Sequence, residues 1–135
     1  QKKFNLPCFA DDSGFCVEAL NDNPGIRSKR FLDKFSSNKE AFEYIISSVK
    51  KKKNNKAYFV TVISLCLQKN HYLIFSGKIK GTVSLEPRGG NGFGYDPIFI
   101  PEYYKKTFAE MSLGEKNNIS HRKIAISKLK SFLFW

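Results

Sequence analysis

A chain of 135 residues is about one domain's worth, so residues 1–135 are expected to share a single core and to carry their function on one site or one face. With 41% apolar, 26% charged and 15% aromatic residues, the composition excludes the disordered and fibrous classes. The 23 Lys and Arg against 12 Asp and Glu leave +11, a balance that fits either a polyanion-binding face or a lysine-biased surface, since nineteen of the cations are lysine.

The longest apolar run, 57–67, contains Thr61 and Ser64 and falls short of the ~20 residues of a membrane helix. The opening residues lack the apolar run and cleavage site of a signal peptide. Cys8, Cys16 and Cys66 form no C-x-x-C pair and read as reduced thiols packed as small hydrophobes, which points to the cytoplasm.

In chain order, Cys8-Phe9-Ala10 reads as a short strand that enters an acidic turn, Asp11-Asp12-Ser13-Gly14, before a second apolar stretch, Phe15-Cys16-Val17. Asn21 to Gly25 is a cluster of turn formers. Asn38 is expected to cap a helix with Ala41, Phe42, Tyr44, Ile45, Ile46 and Val49 on its apolar side, ending in the solvated run Lys50 to Lys53. Ala57 to Leu67 and His71 to Ile79 are β-branched and aromatic and stand at hairpin distance; Gly81 to Leu85 reads as a further strand. Pro87 to Asp96 is a loop, and Ser120 is expected to cap a last helix running to Leu133. The whole predicts one mixed α/β unit.

Three segments could carry chemistry. The adjacent carboxylates Asp11 and Asp12 at a strand end could hold Mg²⁺ through oxygen, or serve only as turn residues. In Gly92-Phe93-Gly94-Tyr95-Asp96, glycines allow close approach of a ligand, Phe93 and Tyr95 could stack on a planar base, and Asp96 could accept a hydrogen bond from it. The same loop also reads as a hairpin that merely needs positive φ, and Arg88-Gly89-Gly90 as a single RGG-like copy. Ser120-His121-Arg122 gathers donors at a helix N-terminus, suited to an anionic or carbonyl-bearing ligand or to a solvated cap.

In this order, 6–14, 24–31, 92–99, 107–111 and Glu115-Lys116 with Ser120-His121-Arg122 resemble the inosine triphosphate pyrophosphatase family. The resemblance implies a long bent mixed β-sheet with helices on both sides, two lobes with a cleft between them, and a homodimer. It implies Mg²⁺-dependent hydrolysis of dITP, ITP or XTP to the monophosphate and pyrophosphate. Asp12 would be metal ligand and general base, Asp11 its neighbour on the metal, and Ser13, Phe93, Gly94, Tyr95, Asp96, Lys116, Ser120, His121 and Arg122 would bind the nucleotide.

That family opens with a strand, a Ser/Thr-x-Asn-x-x-Lys phosphate loop and a helix bearing a metal-binding Glu. The present sequence is therefore expected to be a fragment or a shortened member lacking the first strand and helix, with Lys2 and Lys3 as the cations nearest the acidic pair. Arg27-Ser28-Lys29-Arg30 departs from the family pattern by adding cations beside the cleft. Two other readings stay open: a nucleotide-binding or dimerising remnant without catalysis, and a basic nucleic-acid module, for which no readout motif and no specific nucleic-acid partner is visible.

Overall fold

The computed structural model describes residues 5–134; Lys2 and Lys3 lie outside them. Five strands, β1 (Cys8–Val17), β2 (Asn23–Gly25), β3 (Lys56–Gln68), β4 (His71–Val83) and β5 (Phe99–Pro101), form one sheet in the order β2-β1-β3-β4-β5. Four helices accompany it: α1 (Ser28–Asp33), α2 (Asn38–Lys52), α3 (Leu113–Ile119) and α4 (His121–Leu133).

The α/β class holds, with flanking helices and a cleft, and two details of the implied architecture differ. All four strand pairings among the described residues are antiparallel, not mixed. β2 and β3 do run the same way, but β1 lies between them and is antiparallel to both, so the connection through α1 and α2 returns to the sheet without a parallel neighbour. Secondly, the helices gather on one face. Phe15, Val17, Ala57, Phe59 and Val83, which share that face by alternation, form one core cluster with Phe42, Ile45, Ile46 and Val49 of α2. The other face of the central strands carries half-exposed Tyr72 and Ile74 with Lys78 and Lys80.

The acidic segment is no turn. β1 runs unbroken from Cys8 to Val17 because each residue of it pairs in register with β3, and the Ser13 and Thr61 hydroxyls bond across the pair at 2.7 Å. Likewise Gly81 to Leu85 is no separate strand: β4 continues through Gly77 and Gly81 to Val83. These glycines are sites of close approach. A Cβ at Gly77 would collide with the His121 carbonyl and the Ala125 amide, so the missing side chain is what lets α4 lie against β4.

The α2 cap is Ser37, not Asn38: its Oγ accepts from the Glu40 amide at 3.2 Å, and Asn38 becomes the first helical residue. Ser120 does cap α4, its Oγ accepting from the Lys123 amide. Lys50, Lys51 and Lys52 form the solvated last turn of α2 and complement its macrodipole. Cys16 and Cys66 are packed inside, whereas Cys8 is exposed, because among the described residues the first half of β1 pairs with β3 alone. No helix among the described residues is long and apolar enough to cross a membrane.

Candidate nucleotide cleft

A cleft of about 450 Å³ opens between two walls. One wall comes from β1 and the start of the helical crossover, with Ser13, Gly14, Ser28, Lys29, Leu32 and Asn38. The other comes from the glycine-rich loop and the last helices, with Phe93, Gly94, Tyr95, Asp96, Lys116, His121 and Arg122. The floor is the core itself, where Phe15 and Phe59 lie 4.8 Å apart.

The loop is shaped by its own polar groups. Thr107 Oγ1 accepts from the Glu110 amide while Glu110 Oε1 accepts from the Thr107 amide, a reciprocal cap that also donates from Thr107 Oγ1 to the Arg88 carbonyl at 2.8 Å. Arg88 pairs with Glu110 at 3.3 Å and donates to the Lys105 carbonyl. That engagement sets aside the RGG-like reading, since Arg88 fastens the loop from within. Gly92, at φ +73°, has no room for a Cβ because the Asp96 carboxylate lies against it.

Asp96 is the anchor of this wall. Its buried carboxylate accepts from the Phe93 amide at 3.0 Å and from Lys116 Nζ at 2.5 Å, and Lys116 lies 4.6 Å from the Phe93 ring centroid. Asp96 therefore holds Lys116 and the loop in place rather than standing free to accept from a base. Lys116 belongs to α3, a helix that the polar stretch before Ser120 concealed because none of its residues is buried.

Phe93 and Tyr95 part company. Phe93 is 67% exposed, with the Arg122 guanidinium 5.7 Å from its centroid, and offers a ring to the cleft. Tyr95 is a core residue: it stacks on Phe15 at 4.7 Å, its hydroxyl donates to the Ser28 carbonyl, and burial holds its phenol well above the ordinary value. Of the two rings, Phe93 is the one open to the cleft.

His121 is buried flat against Phe59, centroids 4.8 Å apart, with Nδ1 unpartnered. Burial first, then the Arg122 and Lys116 charges, pull its pKa from 6.5 to about 4, so the imidazole is neutral at pH 7. The unfolded chain binds the proton more readily, and stability is lost as pH falls from 6.5 towards 4. The expected loss is about 2–3 kcal/mol, checked by urea unfolding at pH 7 and pH 4.5. His121→Gln should be less pH-sensitive by that amount; an unchanged pH dependence would mean that the site is hydrated in solution.

Of the other residues expected in the site, Ser13 lines the cleft, while Asp11, Asp12 and Ser120 do not. Ser120 is buried and its hydroxyl is engaged in the α4 cap. Successive side chains of a strand point to opposite faces, so Asp11 and Asp12 cannot act as one joined pair; Asp11 shares the face of Ser13. Asp12 is exposed, and its Oδ1 accepts from the Ser13 amide at 2.9 Å, which keeps the carboxylate against its own strand beside the cleft residue. No group of three or more His, Cys, Asp or Glu converges among the described residues. A hard cation that keeps its waters and takes phosphate oxygens needs only one or two protein carboxylates, and exposed Asp12 fits that demand.

The cleft also draws on residues that were not among those expected to bind the nucleotide. Ser28, Lys29 and Leu32 come from α1, whose placement follows the Pro24-Gly25 turn, and Asn38 reaches the cleft because Ser37 takes the cap. One exposed aromatic ring, an apolar floor and convergent cations define a small-molecule cleft of an α/β protein rather than a flat docking face.

Comparison with known proteins places this geometry. The Ham1 family model matches residues 1–132. A dITP/XTP pyrophosphatase of Porphyromonas gingivalis is 45% identical over 135 residues, covering 98% of this chain and 68% of the relative. A protein of the same description from Flavobacterium johnsoniae is 42% identical over 132 residues, with the same coverage. The Staphylococcus aureus Ham1 protein superposes with a TM-score of 0.89 at 39% identity, covering 98% of this chain and 69% of that structure. The chain belongs to the Ham1 family.

Proposed function

We propose that this chain hydrolyses non-standard purine nucleoside triphosphates, dITP, ITP and XTP, to the monophosphate and pyrophosphate. The observation that carries the reading is the pairing of the exposed Phe93 ring with nearby donors on Lys116, His121 and Arg122, whose one buried acidic neighbour, Asp96, is already bonded. Hypoxanthine and xanthine present a carbonyl at position 6, an acceptor that meets those donors; adenine presents an amino group there and leaves donor facing donor. The names of the relatives, dITP/XTP pyrophosphatases, support the same substrate class.

In this reading the base stacks on Phe93 while Arg122, the exposed cation beside that ring, donates to the carbonyl. Lys116 keeps two N–H groups free of Asp96 for the same purpose. Ser13 and Lys29 approach the nucleotide from the opposite wall, where Lys29 adds positive charge for phosphate. On the family resemblance Asp12, which leaves β1 on the face opposite Ser13 and is held back against the strand by the Ser13 amide, orients and deprotonates the water that attacks the α-phosphorus, and the bond from that phosphorus to the bridging oxygen breaks to release pyrophosphate. Mg²⁺ is the divalent ion proposed for Asp12; when bound it neutralises phosphate charge. A cytoplasmic homodimer belongs to this reading too, the unpaired cysteines suiting a reducing compartment.

The test is pyrophosphate release from ITP, XTP, dITP and ATP with Mg²⁺. Selective turnover of the first three is expected. Arg122→Ala should lose roughly 10- to 100-fold in selectivity for ITP over ATP, since an unpaired donor costs ~1–3 kcal/mol. Equal losses on both substrates would remove Arg122 from base recognition, and nucleotide affinity without turnover would favour a non-catalytic binder.

A further inference from the structure

Helix α1 divides two concavities. Its Ser28, Lys29 and Leu32 face the cleft, whereas Arg27, Arg30, Phe31 and Lys34 line a separate groove of about 470 Å³ on the opposite flank. Tyr44 and Lys52 of α2 close that groove, and the Phe31 and Tyr44 rings, 6.0 Å apart, give it an apolar side. Arg27, Arg30, Lys34 and Lys52 thus meet around one hollow, and no Asp or Glu lines it. None of the four cations is in an ion pair among the described residues. Lys52 is accounted for in part by the α2 C-terminus and Arg30 by the last turn of α1, but nothing in the helix explains Arg27 at the α1 N-cap, where the macrodipole disfavours cations.

We propose that this groove is a second anion site, distinct from the nucleotide cleft, that takes a compact ligand with linked phosphates, inorganic pyrophosphate being the simplest. Four like charges around one hollow repel one another until a dense anion enters. Guanidinium forks match phosphate oxygens two at a time, and the two lysines supply point charge from the facing side. The cations converge from two helices on one open hollow instead of following a track, which favours a small polyphosphate over a nucleic-acid backbone. The site stands whether or not the cleft hydrolyses nucleotides.

The experiment is a titration of the full chain with inorganic pyrophosphate, without divalent metal and at low salt, followed by amide NMR shifts. Saturating shifts are expected at Arg27, Arg30, Phe31, Lys34, Tyr44 and Lys52, read separately from those of Lys29, Leu32, Phe93 to Asp96 and Arg122 in the cleft. Arg27→Ala with Arg30→Ala should weaken the groove's affinity by about tenfold or more. The lysine versions, which keep the charge and lose the fork, should weaken it less. Lys34→Ala with Lys52→Ala, at exposed positions away from the α1 N-terminus, provides a second pair should the first disturb the helix. No saturable shift in the groove, wild-type affinity in both pairs, or tighter and steeply salt-dependent binding of a random oligonucleotide there would each overturn the proposal.

Discussion

Asp12→Asn is expected to lower ITP turnover by about 10²- to 10⁴-fold, the range that a positioned general base contributes. The amide is nearly isosteric and its oxygen can still accept from the Ser13 amide, which now bonds Asp12 Oδ1 at 2.9 Å, so β1 has no reason to shift. What the variant loses is the capacity to take a proton and the negative charge that would hold a metal ion. Pyrophosphate release measures the first effect, and an unchanged urea midpoint shows that the fold is intact. Asp11→Asn is the matched comparison. The two carboxylates alternate along a strand that keeps its register with β3, so they cannot both act from one face. A deficit of less than about tenfold is expected for Asp11→Asn, on the same scale of general-base contributions. If Asp11→Asn proved the more damaging, the base would be the residue on the Ser13 face and Asp12 would be its neighbour only.

Lys116→Ala is expected to cost about 3–5 kcal/mol of unfolding free energy, the usual consequence of stranding a buried carboxylate. The Asp96 side chain is 4% exposed and that of Lys116 is 12%, so solvent cannot replace the lost partner. Asp96 would retain the Phe93 amide as its donor, which is too little for a full negative charge. Combining Lys116→Ala with Asp96→Asn should recover much of the loss, because the remaining amide carries no charge; urea unfolding of both singles and the double measures the coupling. A single-variant loss under about 1 kcal/mol would mean that the pair is solvated as surface pairs are. The same substitution removes a cation lying 4.6 Å from the Phe93 ring, so substrate affinity should fall along with stability.

This double role explains why the glycine-rich loop was only partly legible. Pattern alone picked out Phe93 to Asp96 as a place where backbone, ring and carboxylate could meet a base, and the cleft does lie there. It could not say which ring was free. Tyr95 sits two residues from Phe93, yet the Asp96–Ile98 turn carries it inward onto Phe15, and its hydroxyl closes on the carbonyl of Ser28, 67 residues away. Asp96 was chemically conspicuous but its partner was twenty residues distant on a helix with no buried face to betray it.

The elements with strong local periodicity were readable in advance: α2 from its apolar spacing, the β3–β4 hairpin from β-branched alternation across a short turn, and α4 from Ser120 and the spacing of its apolar residues. In α2 and β3 the signal is the burial of one side of a repeating backbone, which is written residue by residue; in α4 the cap at Ser120 holds, but His121 and Ala125 are the buried residues while Ile126 and Leu133 stay exposed. Where tertiary contacts override local preference, the reading failed. Asp11 to Gly14 has the residues of a turn and is a strand because β3 supplies ten consecutive partners to β1. Gly77 and Gly81 look like breaks in β4 and are instead the places where the α4 backbone and Ile100 press against the sheet. Composition, class and the chemistry on offer are local properties and lie open in the sequence. Which ring is free, which carboxylate is neutralised and which flank of α1 faces the cleft depend on contacts between distant segments, and folding alone sets those distances.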